Sequence, residues 1–235
     1  MDSPARLAFV QRRSLDTAPL GLTFIFLSTW KDTNMHDIQS SPNAVDKPFG
    51  AAPGEVAQAG ALALLRDGTR VFVRPIHAED IELERRFIEA LSPSSRRFRF
   101  LETMRSPSDA LLKQMTVINP STDAAYVAII GEGDQQHEIG VARFSARPDG
   151  HDCEFAVTVS DEWQNKGLGT LLMRHLIDVA KARGIKAMHS SDASDNTRMR
   201  QFADHLSFHH RRDPDDATLV LYSVDLNAEP AAASA

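Results

Sequence analysis

The sequence predicts a mixed α/β fold, in which one sheet with parallel and antiparallel strands is flanked by helices. Stretches with a period of two alternate with stretches of helical period along residues 70–226, which indicates strands interspersed with helices. Residues 153–190 read as strand, glycine-bearing loop, helix and strand, a unit that forms a right-handed crossover between parallel strands. The 42% hydrophobic and 25% charged residues are typical of a globular domain.

The 235 residues are enough for one domain of ordinary size with an appendage. We assign residues 1–65 to an N-terminal extension, either disordered or upstream of a true start at Met35, residues 66–227 to the folded domain and residues 228–235 to a disordered tail. No stretch is long enough to cross a membrane.

Charge and cysteine content exclude several classes of protein. The net charge of −6 gives no indication of nucleic-acid or anionic-membrane binding. The single cysteine, Cys153, excludes an internal disulfide and a cysteine-based zinc cluster, and it fits a reducing, cytoplasmic compartment.

The first half of the domain is predicted to run from strand to helices to a hairpin. Residues 70–76 alternate as a strand does, and residues 79–91 carry an apolar stripe at helical spacing that Ser92 and Pro93 end. Residues 96–101 form one or two helical turns, and residues 108–115 a short helix. The next strands, in order, are residues 124–131, 138–146 and 152–159, the first two of them a hairpin.

The second half begins with the helix that follows the glycine loop and ends near Arg183, with Gly184 as its C-terminal signal. A strand at residues 185–190 and a helix at residues 196–206 follow. Strands at residues 209–212 and 219–226 close the chain. The predicted order is therefore β-α-α-β-β-β-α-β-α-β-β.

The loop between residues 164 and 169 is the first candidate for a binding site. It reads Q-x-x-G-x-G and opens an amphipathic helix, so several backbone N–H groups and the helix dipole favour an anion such as a pyrophosphate. It is neither the dinucleotide G-x-G-x-x-G pattern nor a Walker loop. The glycines alone also fit a tight strand-to-helix turn without a ligand.

The longer pattern V-x-x-x-x-Q-x-x-G-x-G, which starts at Val159 and is followed by a leucine-rich helix, resembles the acyl-CoA-binding motif of the GNAT (Gcn5-related) N-acetyltransferases. The resemblance implies the GNAT fold and acetyl-CoA as acyl donor. We predict no metal, because His205, His209 and His210 lack carboxylate or cysteine partners at ligand spacing. In that family the loop amides bind the pyrophosphate, and the strand before the loop pairs with the pantetheine arm, with a bulge that turns one amide to the thioester. The residues that it implies bind the cofactor are Val157, Val159, Gln164, Asn165, Lys166, Gly167, Leu168, Gly169, Thr170 and Asn196. For Asn196 a plain helix N-cap is the alternative.

A narrower resemblance covers residues 70–210. The segments R-P-I-x-x-E-D from Arg74, L-S-P-x-S-R-x-F-R-F from Leu91 and E-F-A-V from Glu154 resemble the catalytic domain of bacterial Pat-type protein lysine acetyltransferases. It implies that Glu154 is the general base and that a protein lysine is the acceptor.

Glu154 is also a candidate on chemical grounds, because it is the one charged residue in the apolar stretch 153–159. A carboxylate on a half-buried strand should have a raised pKa, which suits a general base. Strand alternation places it on the opposite face from Cys153, which we expect in the core. An exposed carboxylate, or one paired with an arginine such as Arg143, is the alternative.

The sequence departs from the GNAT pattern at three positions. Asn165 and Ser207 stand where glycine is usual, and Ala203 stands where many members have a tyrosine that protonates the departing thiolate. A thiol of pKa about 8.5 can leave without such an acid.

Two groups of side chains give weaker signals. Arg96, Arg97 and Arg99 fit either a structural basic turn or a contact with the CoA 3′-phosphate. The histidines at 205, 209 and 210 lack partners at metal-ligand spacing.

These observations predict an acetyl-CoA-dependent N-acetyltransferase that moves an acetyl group directly to a primary amine. The protein lysine is implied by resemblance. A small-molecule amine such as a polyamine, or a non-catalytic acyl-CoA sensor, remains an alternative. The sequence gives no indication of the oligomeric state.

Overall fold

The computed structural model describes residues 60–101 and 103–227. The predictions of an extension at residues 1–59 and of a tail at residues 228–235 therefore lie outside the described residues. Within them, the strands are β1 Ala61–Leu64, β2 Arg70–Pro75, β3 Asp123–Ile130, β4 His137–Ala146, β5 Asp152–Val159, β6 Ala187–Ala193, β7 His209–Arg212 and β8 Leu219–Asp225. The helices are α1 Ile81–Ala90, α2 Pro93–Phe100, α3 Asp109–Thr116, α4 Leu168–Ala182 and α5 Thr197–His205.

All eight strands belong to one sheet, in the order β1-β2-β3-β4-β5-β6-β8-β7. Each neighbouring pair is antiparallel except β5 and β6, which are parallel and joined by α4. The predicted mixed sheet with a single crossover is thus confirmed. The crossover puts the loop before α4 at the carboxyl end of β5, where ligands commonly bind in α/β sheets.

The sheet begins earlier than the sequence analysis placed it. Strand β1 pairs with β2 from Ala61↔Val73 to Leu64↔Arg70, inside the segment that we assigned to the extension. Its sequence, Ala-Leu-Ala-Leu, is poor in β-branched residues, so its propensity gave no strand signal. Residues 93–100 form helix α2, whose 8 residues make about two turns, so the predicted helical turns are present but begin at Pro93 rather than at Arg96. Ser92 caps the first turn by accepting a hydrogen bond from the Ser95 N–H.

Helices cover both faces of the sheet. On one face α4 packs its apolar side, including Leu172 and Leu176, into the larger core. Gly140 on β4 permits the close approach, since a Cβ there would lie 3.1 Å from the Thr158 carbonyl oxygen and 3.2 Å from Leu172. On the opposite face α1 and α3 bury Phe87 and Met115 in a second core.

The R-P-I-x-x-E-D segment has a structural role in the turn between β2 and α1. The Arg74 guanidinium donates to both carboxylate oxygens of Asp80, at 2.6 and 2.7 Å. Asp80 also accepts from the His77 N–H at 2.7 Å. This bidentate ion pair orients α1 on the sheet. None of the helices that the structure describes is both long and apolar enough to cross a membrane.

Candidate active site

Strands β5 and β6 separate at the carboxyl end of the crossover. They pair from Asp152↔Ala187 to Glu154↔His189 and then diverge, so that no described strand pairs with this side of β5 beyond Glu154. On its other side β5 stays paired with β4 as far as Gly140↔Val159. A gap therefore opens between two neighbouring strands in the middle of the sheet.

Backbone alternation shows which groups face this gap. The His151 carbonyl accepts from the Lys186 N–H on the β6 side, whereas the Ser160 N–H donates to the Ile139 carbonyl on the β4 side. Because successive residues of a strand point their N–H and C=O groups to opposite sides, Val157 and Val159 present theirs to the gap. This edge can pair with an extended ligand as an added strand would.

The bulge that the resemblance implied in β5 is absent. The β4–β5 register runs without a shift from Gly140↔Val159 to Ala146↔Cys153. The described register shift lies instead between β3 and β4, at Ala128 and Ile129. The edge of β5 is free because β6 turns away from it, so no bulge in β5 is needed to expose its backbone groups.

A cavity of about 380 Å³ lies at the end of this gap, in front of the glycine loop, and we call it the loop cavity. Of the residues predicted to bind the cofactor, eight line it. They are Val157, Val159, Gln164, Asn165, Gly167, Gly169, Thr170 and Asn196. One wall of the cavity is therefore the strand edge and another is the loop that opens α4.

The loop takes a left-handed conformation at two positions, Asn165 with φ 62° and Gly167 with φ 89°. Asparagine tolerates this conformation better than most residues, which explains how it can replace the usual glycine. Helix α4 begins directly afterwards, at Leu168. Its first backbone N–H groups are therefore available to an anion in the loop cavity.

The side chain of Gln164 braces the loop. Its Nε2 donates to the Val159 carbonyl at 3.1 Å, and its Oε1 accepts from Arg198 at 2.7 Å. On the same side, Asp161 accepts hydrogen bonds from the N–H and hydroxyl of Ser92 and from the hydroxyl of Ser95. These bonds join the loop to β5, α2 and α5, and they hold the loop before any ligand binds.

Lys166 and Leu168 do not line the loop cavity. The Lys166 Nζ lies 3.9 Å from Asp67 and 4.4 Å from the centre of the Trp163 ring. Leu168 is buried in the larger core. Their side chains serve the packing of the loop, and only their backbone groups remain as candidates for binding.

Asn196 is the N-cap of a helix and also lines the loop cavity, so its predicted contact with the cofactor stays a prediction. Its Oδ1 accepts from the Met199 N–H at 3.1 Å, as the N-cap of α5, and the residue also lines the loop cavity. Its Nδ2 donates to Asp192 Oδ2 at 2.8 Å. The N-cap of α5 therefore forms part of the wall of the loop cavity.

A second, smaller cavity of about 50 Å³ adjoins the first, and we call it the carboxyl cavity because Glu154 lines it. Burial raises the pKa of Glu154 to about 8, and the nearby Arg147 partly opposes that shift. Arg143 is not its partner, because that guanidinium donates to the Met115 carbonyl in the second core. Glu154 is therefore a largely buried carboxyl group poised to exchange a proton near neutral pH.

Two charged residues line both cavities, Arg99 of α2 and Asp192 of β6. Burial lowers the pKa of Arg99 to about 10, so it remains a cation at neutral pH. Burial raises the pKa of Asp192 to about 6, against the hydrogen bonds from Ala193 and Asn196 that lower it. Both residues stand between the loop and Glu154.

Sequence analysis missed several lining residues, since they come from segments distant from the motif. Arg66, in the β1–β2 turn, lies over the glycine loop, with its Cγ and Nε 3.5 Å from where a Cβ on Gly167 would be. Arg198, Phe202 and His205 of α5 line the opposite wall. Arg66 and Arg198 bring positive charge to the cavity. No signal in the turn Arg66-Asp67-Gly68 marks Arg66 as a binding residue.

The weaker candidates take structural places. Cys153 is 1% exposed, and burial raises the pKa of its thiol to about 12, so it is a core residue rather than a nucleophile. Arg96 donates to backbone carbonyls, among them that of Leu91, and Arg97 pairs with Asp195 at 2.6 Å. Among the described residues, no group of three or more His, Cys, Asp or Glu side chains is arranged to hold a metal ion.

Comparison with known proteins agrees with this geometry. A sequence model of the acetyltransferase (GNAT) family matches residues 89–208. An acetyltransferase of Pseudomonas aeruginosa is 43% identical over 162 residues, which cover 69% of this chain and 87% of the relative. Acetyltransferase Pat of Mycolicibacterium smegmatis is 29% identical over 165 residues, and the match spans 69% of this chain but only 47% of that protein.

Solved structures show the same fold. The crystal structure of the GNAT domain of S. lividans PAT superposes with a TM-score of 0.66 at 25% identity, and the match covers 71% of this chain and 96% of that one. A cAMP-binding acyltransferase from Mycobacterium smegmatis gives a TM-score of 0.51 at 25% identity, over 72% of this chain and 48% of the other. With its mixed sheet, its split strands and its glycine loop, the chain belongs to the GNAT family of acetyltransferases and is an acyltransferase.

Proposed function

We propose that the protein transfers an acetyl group from acetyl-CoA to the side-chain amine of a protein lysine, by direct attack of the amine on the thioester. The observation that carries this proposal is the junction of the two cavities. The loop cavity offers N–H groups and two arginines to the phosphates, and the carboxyl cavity brings Glu154 to the point where the β5 edge is free.

The cofactor would lie along the gap. The backbone of Val157 would pair with the pantetheine arm, and the N–H groups at the start of α4 would bind the pyrophosphate. Thr170, in the first turn of α4, lines the cavity and adds a hydroxyl donor. The thioester would then reach the junction, where a backbone N–H of the β5 edge stabilises the developing oxyanion.

In the reaction the amine nitrogen bonds to the acetyl carbon and the carbon–sulfur bond breaks. The deprotonated form of Glu154 takes one proton from the ammonium nitrogen, directly or through a water molecule, and the neutral amine attacks. The second nitrogen proton passes to water, and CoA leaves as the thiolate. Ala203, where a tyrosine would stand, is fully buried and supplies no acid. Because the thiol pKa is about 8.5, the thiolate is a competent leaving group without one.

The carboxyl cavity brings two carboxyl groups, those of Glu154 and Asp192, to the place where an amine would enter. Lysine is preferred to a polyamine because of the segments that resemble the Pat-type enzymes. A cytoplasmic location is part of the proposal, since Cys153 is the single cysteine in the chain.

The test is thiol release from acetyl-CoA by the purified chain, with a lysine-rich protein, a lysine peptide and a polyamine as separate acceptors, and mass spectrometry of each product. We expect release that depends on the lysine acceptors and a gain of one acetyl group on lysine. Transfer to the polyamine alone would replace the proposed acceptor. Tight acetyl-CoA binding without any transfer would favour the sensor, and no binding would refute the cofactor assignment.

A further inference from the structure

Asp192 is a carboxylate that neither the glycine-loop motif nor the E-F-A-V segment includes. It lies near the end of β6, beyond the point where β6 leaves β5, and it lines both the loop cavity and the carboxyl cavity. Glu154 lies on the strand across the gap. The two carboxyl groups therefore border the same junction from opposite strands.

The side chain of Asp192 is held in place. Its Oδ1 accepts from the Ala193 N–H at 2.6 Å, and its Oδ2 accepts from Asn196 Nδ2 at 2.8 Å. A carboxylate has about four acceptor sites, so two hydrogen bonds fix the group and leave capacity for a further donor. Because Asp192 lines a cavity, a ligand bound there could donate the further hydrogen bond.

At the junction, the group that can pair with a cationic ligand is the carboxylate of Asp192. At neutral pH a carboxyl group with a pKa of about 8, as in Glu154, is largely uncharged, whereas Asp192, with a pKa of about 6, is largely an anion. The other charged or titratable groups near Asp192 or on the walls that it shares are Arg66, Arg97, Arg99, Asp195, Arg198, His205 and Tyr222. Arg66 lies over Gly167 and Arg198 donates to Gln164, so both belong to the loop side of the junction. Arg97 is engaged with Asp195, and Arg99 is the cation that limits the negative potential.

We propose that Asp192 binds the ammonium group of the acceptor and so selects cationic amines, while Glu154 removes the proton. This inference rests on the proposed function. A lysine amine has a pKa of about 10.4 and arrives as a cation, so a fixed anion at the junction attracts it before deprotonation. Asp192 is thus a specificity-determining residue on the strand opposite the base.

The test compares wild type, Asp192→Asn and Asp215→Asn in the full chain, with a lysine peptide as acceptor. Asp215→Asn is the matched control, since it removes the same charge at an exposed position that lines neither cavity. We expect Asp192→Asn to raise KM for the peptide about tenfold, with kcat and the Kd of acetyl-CoA changed by less than about threefold. The control should leave the peptide KM unchanged.

The pH dependence of KM distinguishes binding from a structural role. In wild type, KM for the peptide should rise as the pH falls through about 6, because Asp192 becomes protonated, and this rise should be lost in Asp192→Asn. An unchanged KM in the variant would overturn the inference and leave the proposed function intact. A lower melting temperature with weaker acetyl-CoA binding would also overturn it, by showing that Asp192 only supports the Asn196 cap. If wild type transfers to no amine, the proposed function fails and the inference fails with it.

Discussion

The two cavities that meet between β5 and β6 are built from different parts of the chain. The loop cavity depends mainly on backbone: the free edge at Val157, the left-handed turn at Gly167 and the first N–H groups of α4. The carboxyl cavity depends on side chains with shifted pKa values, Glu154 and Asp192. In the proposed reaction, the backbone of the fold holds the acyl donor, whereas a few side chains that can be replaced activate the acceptor.

The largest effect is expected from Glu154→Gln, which removes the base and keeps the shape of the carboxyl cavity. General-base catalysis typically contributes about 10²–10⁴-fold, so kcat/KM for the lysine peptide should fall by at least about 10²-fold. Thiol-release kinetics measure the loss, and calorimetry should show an unchanged Kd for acetyl-CoA. Glu162→Gln, at an exposed position in the loop before α4, is the control and should behave as wild type. If Glu154→Gln weakens acetyl-CoA binding by as much as it lowers kcat/KM, the two cavities do not have separate functions.

The next effect tests the backbone of the loop cavity. Gly167→Ala forces a side chain into the left-handed region, at φ 89°, which costs about 1–2 kcal/mol. If the loop relaxes to avoid this cost, its N–H groups leave the anion site and acetyl-CoA should bind about tenfold more weakly. Calorimetry measures the Kd, and kcat at saturating acetyl-CoA should remain near that of wild type.

Gly150→Ala is the matched control, because Gly150 also has a positive φ, 70°, and its added Cβ would meet open space in the β4–β5 turn. It should lower the melting temperature to a similar degree without changing the Kd. Equal loss of acetyl-CoA affinity in both variants would show that general stability, and not the loop geometry, determines binding.

A smaller effect is expected at the rim of the loop cavity. Arg66→Gln removes a cation that lies over Gly167, and we expect it to raise the Kd for CoA about three- to tenfold. The difference from wild type should shrink as salt is added, because salt screens exposed charges. Comparing CoA with dephospho-CoA shows whether the 3′-phosphate is the group contacted. Arg70→Gln, an exposed arginine at the start of β2, should have no effect. An unchanged CoA affinity in Arg66→Gln would show that Arg66 does not contact the phosphates.

The same contrast explains what the sequence could predict. The Q-x-x-G-x-G pattern determines the backbone over a few adjacent residues, and four of the eight predicted residues that line the loop cavity lie in it, namely Gln164, Asn165, Gly167 and Gly169. Lys166 and Leu168 could not be separated from them, because a motif does not show which side chains turn toward the core. Glu154 was found because a charge in an apolar strand is conspicuous.

Asp192, Arg99 and Arg66 were not found as a group, since three distant segments bring them to the cavities. Their placement depends on the divergence of β6, the docking of α2 and the pairing of β1 with β2. Strand β1 itself was missed because an alternation of alanine and leucine is weak evidence for a strand. The order of the remaining strands followed from periodicity, since buried faces impose it directly.

The pH dependence of kcat/KM in wild type and Glu154→Gln tests the account most directly. A base must be deprotonated to act, so wild-type kcat/KM for the lysine peptide should rise with pH through an apparent pKa near 8, the value to which burial raises Glu154. The variant should be slower by at least about 10²-fold and should lack this rise. A variant with the wild-type rate and the same pH profile would contradict the assignment of Glu154 as the base.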